Sequence, residues 1–137
     1  MPRPPPTLVL WCALLALAAC PAPPAAAAAA PGVGWVLVVL YNQPKDTAAF
    51  EKYYAETHVP LFFSHAQEIG FTRVDIIKFA PGADGKPAPV YREADVRWDS
   101  KDAMDKGLGT AGFKTSAADL PKFATGGFTV LIGRKTN

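Results

Sequence analysis

"VGWVLVVLY", residues 33–41, is apolar on both of its alternating faces and rich in β-branched residues. A strand wetted on one side would alternate apolar with polar, so this run reads as a central strand covered on both faces. "NQPKD" (42–46) breaks it, and Asp46 is placed to cap a helix over "TAAFEKYYAETH" (47–58). At about 100° per residue, Phe50, Tyr53, Tyr54, Thr57 and Leu61 form one stripe along that helix. Pro60 biases Val59 away from the helical region, which predicts that the helix ends or kinks there. A short second turn, "LFFSHAQEI" (61–69), resumes beyond it.

Further along, "FTRVDIIKFA" (71–80) is a second strand, closed by the turn-rich loop "PGADGKPAP" (81–89). "YREADVRWD" (91–99) alternates, with Arg92, Ala94, Val96 and Trp98 on one side and Tyr91, Glu93, Asp95 and Arg97 on the other. Ser100 or Asp99 caps the region "KDAMDKGLGTAGFKTSAADLPKF" (101–123). Gly107, Gly109 and Gly112 loosen its middle into a helix, a turn and a second short helix. "GGFTVLIGRK" (126–135) is the last strand. The order β-α-β-β-α-β predicts an α+β, ferredoxin-like domain: a four-stranded antiparallel sheet with helices on one face. The first strand lies centrally in that arrangement, and its face away from the helices needs a cover. A second copy of the chain supplies it, so a homodimer is expected.

The chain has 137 residues, room for one domain. Half of them are hydrophobic and 11% aromatic, enough for a packed core. The net charge is +2 without a basic tract, which argues against nucleic acid as a partner. No basic amphipathic helix suits a membrane surface. The apolar run "TLVLWCALLALAAC" (7–20) has 14 residues, short of the roughly 20 that span a bilayer, and fits a signal-peptide core. Residues 1–20 therefore read as a signal peptide, 21–32 as a Pro/Ala-rich tether and 33–137 as the folded domain. "LAAC" (17–20) resembles the bacterial lipobox, which makes Cys20 a candidate lipid attachment site and the anchor the expected membrane link. Ordinary cleavage in the alanine run is the alternative, with a periplasmic or secreted product. Cys12 leaves with the leader, so the domain has no cysteine pair for a disulfide.

"VVLYNQPKDTAAFEKYYAETHVPL" (38–61) resembles the opening of the EthD-like family within the dimeric α/β-barrel superfamily. "AADLPKFATGGFTVLIGR" (117–134) resembles that family's closing stretch. The resemblance implies a homodimer whose sheets pack face to face, often around an elongated cavity. It also implies a bacterial accessory role in degrading ethers and other small organic compounds. Relatives act as cyclases, dehydratases or isomerases on aromatic polyketides. The exported leader departs from the cytoplasmic members associated with catabolism.

His58 is the candidate catalytic acid/base, since an imidazole with a pKa of about 6.5 exchanges protons near neutrality. That role needs one ring nitrogen fixed by a neighbour and the other facing a ligand. The alternative is a helix-end histidine that bonds a free carbonyl. His58-Val59-Pro60 matches the family's His-x-Pro signature. Tyr41 and Tyr54 are candidate substrate-binding hydroxyls, with packing as the alternative, and Tyr53 stands beside them. Asp95, on one face with Glu93 and Arg97, is a candidate ligand-orienting group or part of intersubunit ion pairing. His65 reads as a solvated helix residue. With neither cysteine nor an acidic cluster near the histidines, no metal is expected. No phosphate loop or serine elbow is present, and no cofactor is expected; a haem held by His58 is the poorer option. Two functions stand: a cofactor-independent enzyme moving protons on a small apolar or aromatic compound, or a non-catalytic ligand-binding or structural dimer of the cell envelope.

Overall fold

β1 (Val33–Tyr41) is the axis of a four-stranded antiparallel sheet in the order β2-β3-β1-β4. Its partners are β2 (Arg73–Lys78), β3 (Arg92–Trp98) and β4 (Phe128–Thr136). The computed structural model describes Met1 and residues 33–136. The expected signal peptide beyond Met1, the expected tether and Cys20 lie outside the described residues. The architecture is the α+β, ferredoxin-like one expected from the order of elements.

The register sorts the faces. Leu37 pairs with Val96, Val39 with Ala94, and Tyr41 with both Arg92 and Phe128. Leu37, Val39, Tyr41, Ala94, Val96 and Trp98 are all buried beneath the helices. On the opposite face, Val36, Val38 and Leu40 pair with Arg97, Asp95 and Glu93 on one side. Gly133, Leu131 and Thr129 flank them on the other. These β1 residues are only half-buried in the single chain, so the double-sided cover that their composition calls for is present on one side alone.

The helices are α1 (Thr47–Tyr53), α2 (Val59–Ser64), α3 (Ala66–Ile69), α4 (Lys101–Gly109) and α5 (Ala111–Asp119). Asp46 accepts the Ala49 amide at 2.9 Å and starts α1, and Ser100 accepts the Ala103 amide at 3.1 Å and starts α4. Thr110 caps α5, and a 3-10 turn, Leu120–Lys122, follows it. Gly107 lets α4 close on the preceding layer. A Cβ there would stand 2.3 Å from the Ile69 carbonyl oxygen, which already accepts the Trp98 indole N–H at 3.1 Å.

Pro60 does not end the first helix. Val59 stays helical at φ −62°, ψ −49°, and a π-helical turn over Tyr54–His58 joins α1 to α2. In that turn the Val59 amide bonds to the Tyr54 carbonyl, five residues back. Widening the turn relieves the clash between the proline ring and the preceding carbonyls, and proline has no amide to leave unpaired. The extra residue in the turn also shifts the inward stripe. Phe50 and Tyr54 face in as expected, but Thr57, expected inside, is exposed and His58 faces in, followed by Val59 and Phe62. The bulge thus turns the histidine into the core.

Phe123, just after the 3-10 turn, packs its ring against Tyr41, Phe50, Tyr53, Tyr54 and His58, with centroids 4.6 to 5.8 Å away. Each such pair stabilises by about 0.5–1.5 kcal/mol beyond the area it buries. This cluster pins the end of α5 to the π-helical turn.

Candidate active site

Between the sheet and the helices lies a cavity of about 250 Å³. Leu37, Val39, Ala94 and Val96 form its floor, and Phe62, Phe113 and Leu120 close it from the helix side. Almost all of its wall is apolar; the polar groups that reach it belong to His58, Tyr41, Tyr54 and Ser116. This cavity lies within one chain, between the helices and the sheet.

His58 is 7% exposed and lines this cavity. Its Nδ1 is 3.0 Å from Oδ2 of Asp119, a carboxylate only 2% exposed. Asp119 also accepts the Tyr53 hydroxyl at 2.9 Å and pairs with the Lys122 ammonium at 3.0 Å, both through Oδ1. Burial by itself raises the pKa of that carboxyl, but the bonds from His58, Lys122 and Tyr53 outweigh it and hold it below the usual carboxylate value. An ionised carboxylate only accepts, so Nδ1 carries the hydrogen and Nε2 keeps its lone pair. Burial lowers the His58 pKa, and the Asp119 bond and charge offset that only in part. The ring is therefore neutral near pH 7, with a basic nitrogen left for the cavity.

The two cavity tyrosines differ from a simple packing pair. Tyr41 is pushed far above its ordinary value, first by burial and then by its interaction with Tyr54. Tyr54 is pushed up to about 12 by burial, against a lowering by the Arg92 charge and by its interaction with Tyr41. Both stay protonated and can only offer or share an O–H. Ser116 donates its hydroxyl to the Gly112 carbonyl at 3.0 Å, which leaves its oxygen lone pairs facing out.

Asp95 does not join this group. Strand alternation sends it through the sheet to the opposite face, where it pairs with Arg97 at 3.2 Å and stands across from Asp75. Glu93 shares that face, and burial, followed by a bond to Asp95, raises its pKa. His65 is partly exposed and 3.4 Å from Glu68, away from the cavity. Among the described residues, no group of three or more His, Cys, Asp or Glu side chains is placed to hold a metal ion.

Asp119 is the residue that motif reading did not single out as chemical. Its signal is weak but physical: Gly112, Ser116 and Asp119 are the buried positions of α5, at i, i+4 and i+7. A carboxylate on an inward stripe requires a partner. The partner is 61 positions away in the chain, so spacing alone does not name it.

No family model matches the chain. It is 33% identical over 100 residues to an uncharacterized 11.0 kDa protein in the thcB-thcC intergenic region of Rhodococcus erythropolis, a match covering 70% of this chain and 89% of that protein. The structure is similar to an ethyl tert-butyl ether D (EthD) family protein of Bacillus halodurans, with 26% identity and a TM-score of 0.66 over 75% of this chain and 99% of that one. It also shares its fold with a dimeric, ferredoxin-like protein of unknown function from Bacteroides fragilis, with 9% identity and a TM-score of 0.53 over 73% of this chain and 94% of that one.

Proposed function

We propose that this chain, which is similar to an EthD family protein, moves a proton on a small apolar or aromatic compound held between sheet and helices, with His58 as the acid/base. One observation carries this reading: a buried His–Asp pair whose imidazole lines an apolar cavity. The developing imidazolium is stabilised by the buried Asp119 carboxylate, 3.0 Å from Nδ1. No cofactor is needed for such a step. Reactions of the isomerase, dehydratase or cyclase type all begin with it.

The test is deuterium incorporation from D2O into the carbon beside the carbonyl of small aryl ketones, followed by NMR. Exchange above the buffer rate that disappears in His58→Gln supports the enzyme. Saturable binding of the same ketones with exchange at the buffer rate would replace it with the second reading, a ligand-binding dimer, which the scarcity of polar groups in the cavity favours.

A homodimer through the open sheet face is part of the proposal. Val36, Val38 and Leu40 lie there half-buried, beside Leu131 at 50% exposure. The Bacteroides fragilis protein with this fold is dimeric. Light scattering should return twice the chain mass; a stable monomer at micromolar concentration overturns it. Export rests on the leader alone. Cys20→Ala should move the protein from the membrane fraction to a soluble one, and unchanged fractionation would remove the lipid anchor.

A further inference from the structure

We propose that Tyr54, backed by Tyr41 and Arg92, is the oxyanion-binding donor of the cavity, and that the compound it takes is a neutral carbonyl compound of one or two rings. The proposal rests on the reading of His58 as the base and names the substrate class for that site.

Base and donor share one end of the cavity. The Tyr54 ring centroid is 5.6 Å from that of His58 and 5.7 Å from that of Tyr41. The two phenols carry two protons between them. Burial raises both pKa values, so both phenols keep their protons. Tyr54 lines the cavity, so its proton is available to a ligand there.

Arg92 supplies the charge. It lies on the helix side of β3, on a stripe otherwise made of Ala94, Val96 and Trp98. Its guanidinium carbon stands 4.6 Å from the Tyr54 ring centroid, and its Nη2 donates to Glu51 at 2.6 Å. Its Nε is buried with no hydrogen-bond partner. Glu51 in turn accepts the Tyr91 hydroxyl and pairs with Lys78 at 3.0 Å. A structural ion pair explains Glu51 and one edge of the guanidinium. It does not explain a cation held over the ring of a cavity tyrosine. There the charge lowers the cost of negative charge on, or hydrogen-bonded to, the Tyr54 oxygen.

The cavity's size and lining set the rest. A cavity of about 150 Å³ holds benzene, so about 250 Å³ suits one or two fused rings. No lysine or arginine lines it, so a carboxylate on the ligand would be buried unpaired. In the step itself, Nε2 of His58 takes a proton from the carbon beside the carbonyl. The C–H electron pair becomes the C=C bond of an enolate, and the carbonyl oxygen takes the negative charge under the Tyr54 hydroxyl. Return of the proton from the imidazolium to carbon restores His58, and no other reactant is consumed.

The experiment compares 2-tetralone, whose oxygen only accepts, with tetralin, its hydrocarbon frame, by titration calorimetry on the full-length protein. Wild type should prefer the ketone by about tenfold. Tyr54→Phe should erase that preference while tetralin affinity stays within about twofold. Bound 4-nitrophenol, read by absorbance, should titrate at lower pH in wild type than in Arg92→Gln, with Arg92→Lys in between. A ketone preference that survives Tyr54→Phe, or a nitrophenol midpoint indifferent to Arg92, overturns the proposal. If the preference behaves as expected but ketones exchange no deuterium, the donor site stands and the catalytic reading of His58 falls.

Discussion

The imidazole of His58 and the carboxylate of Asp119 stand 3.0 Å apart, Nδ1 to Oδ2, although 61 positions separate them in the chain. The contact exists because two irregular turns meet. The π-helical turn ends at His58, and the 3-10 turn begins just after Asp119, with the Phe123 ring packed 4.6 Å from that of His58. Both partners are buried, and the low local dielectric makes the pair sensitive to loss of either one.

Asp119→Asn keeps the shape and removes the charge. Asp119 is what raises the His58 pKa against burial, so the variant's histidine should titrate at lower pH than in wild type. The imidazolium formed during proton transfer also loses its counter-charge. Ketone exchange should fall by on the order of 10², while tetralin binding stays unchanged. NMR titration of the His58 ring protons alongside the exchange assay checks both; an unshifted midpoint with unchanged rate would reduce Asp119 to a packing residue.

Acid should weaken the fold in two steps. The folded-state His58 pKa lies below its ordinary 6.5, so the unfolded chain binds the extra proton first. Stability from this group is therefore present above about pH 6.5 and declines as pH falls toward the folded value. Asp119 and Glu51, whose folded pKa values are depressed, Glu51 to about 2, add a second loss below the usual carboxylate range. Glu93, raised by burial, works in the opposite sense: its contribution fades as pH rises through its folded value. The wild-type minus His58→Gln difference in urea midpoint isolates the histidine. It should shrink on acidification from pH 7 to pH 5, and a constant difference would contradict the buried neutral ring.

Pro60→Ala tests what the widened turn does. Alanine restores an amide four residues after Glu56 and favours the tighter α register. Removing the extra residue's worth of rotation swings His58 by roughly 100° relative to α1. The variant should lose the His58–Asp119 contact and with it ketone exchange, and lose stability to urea as Asp119 is left buried without the histidine. Retained exchange would show that the π-helical turn survives without the proline.

That turn also marks where sequence reading stops. Element order, both N-caps and the sorting of β3 into an apolar and a charged face follow from alternation and capping chemistry, and the structure has them. Thr57 and His58 exchange places because a regular 3.6-residue period cannot register one inserted residue. Tyr41 and Tyr54 were visible as hydroxyls beside apolar residues, but Asp95 looked equally eligible until the sheet's helix-covered face was known. Asp119 and Arg92 needed the tertiary fold, since each is a charge on an inward stripe whose partner lies far along the chain.

Ala117 offers the sharpest check on the cavity as the binding site. It lies on α5, beside Ser116 and two residues from Asp119, and its side chain faces the empty space. Replacing it with leucine adds three carbons where room exists, so the fold should lose little stability and can gain up to about 1 kcal/mol by filling the void. The lost volume falls on the ligand. Tetralin and 2-tetralone should weaken at least tenfold, and a one-ring ketone such as acetophenone by less, which makes the size limit readable as a ratio. The His58 titration midpoint and its bond to Asp119 should not move, because leucine at 117 brings no polar atom. Equal weakening of one- and two-ring ligands, or none at all, would place binding somewhere other than the space between sheet and helices.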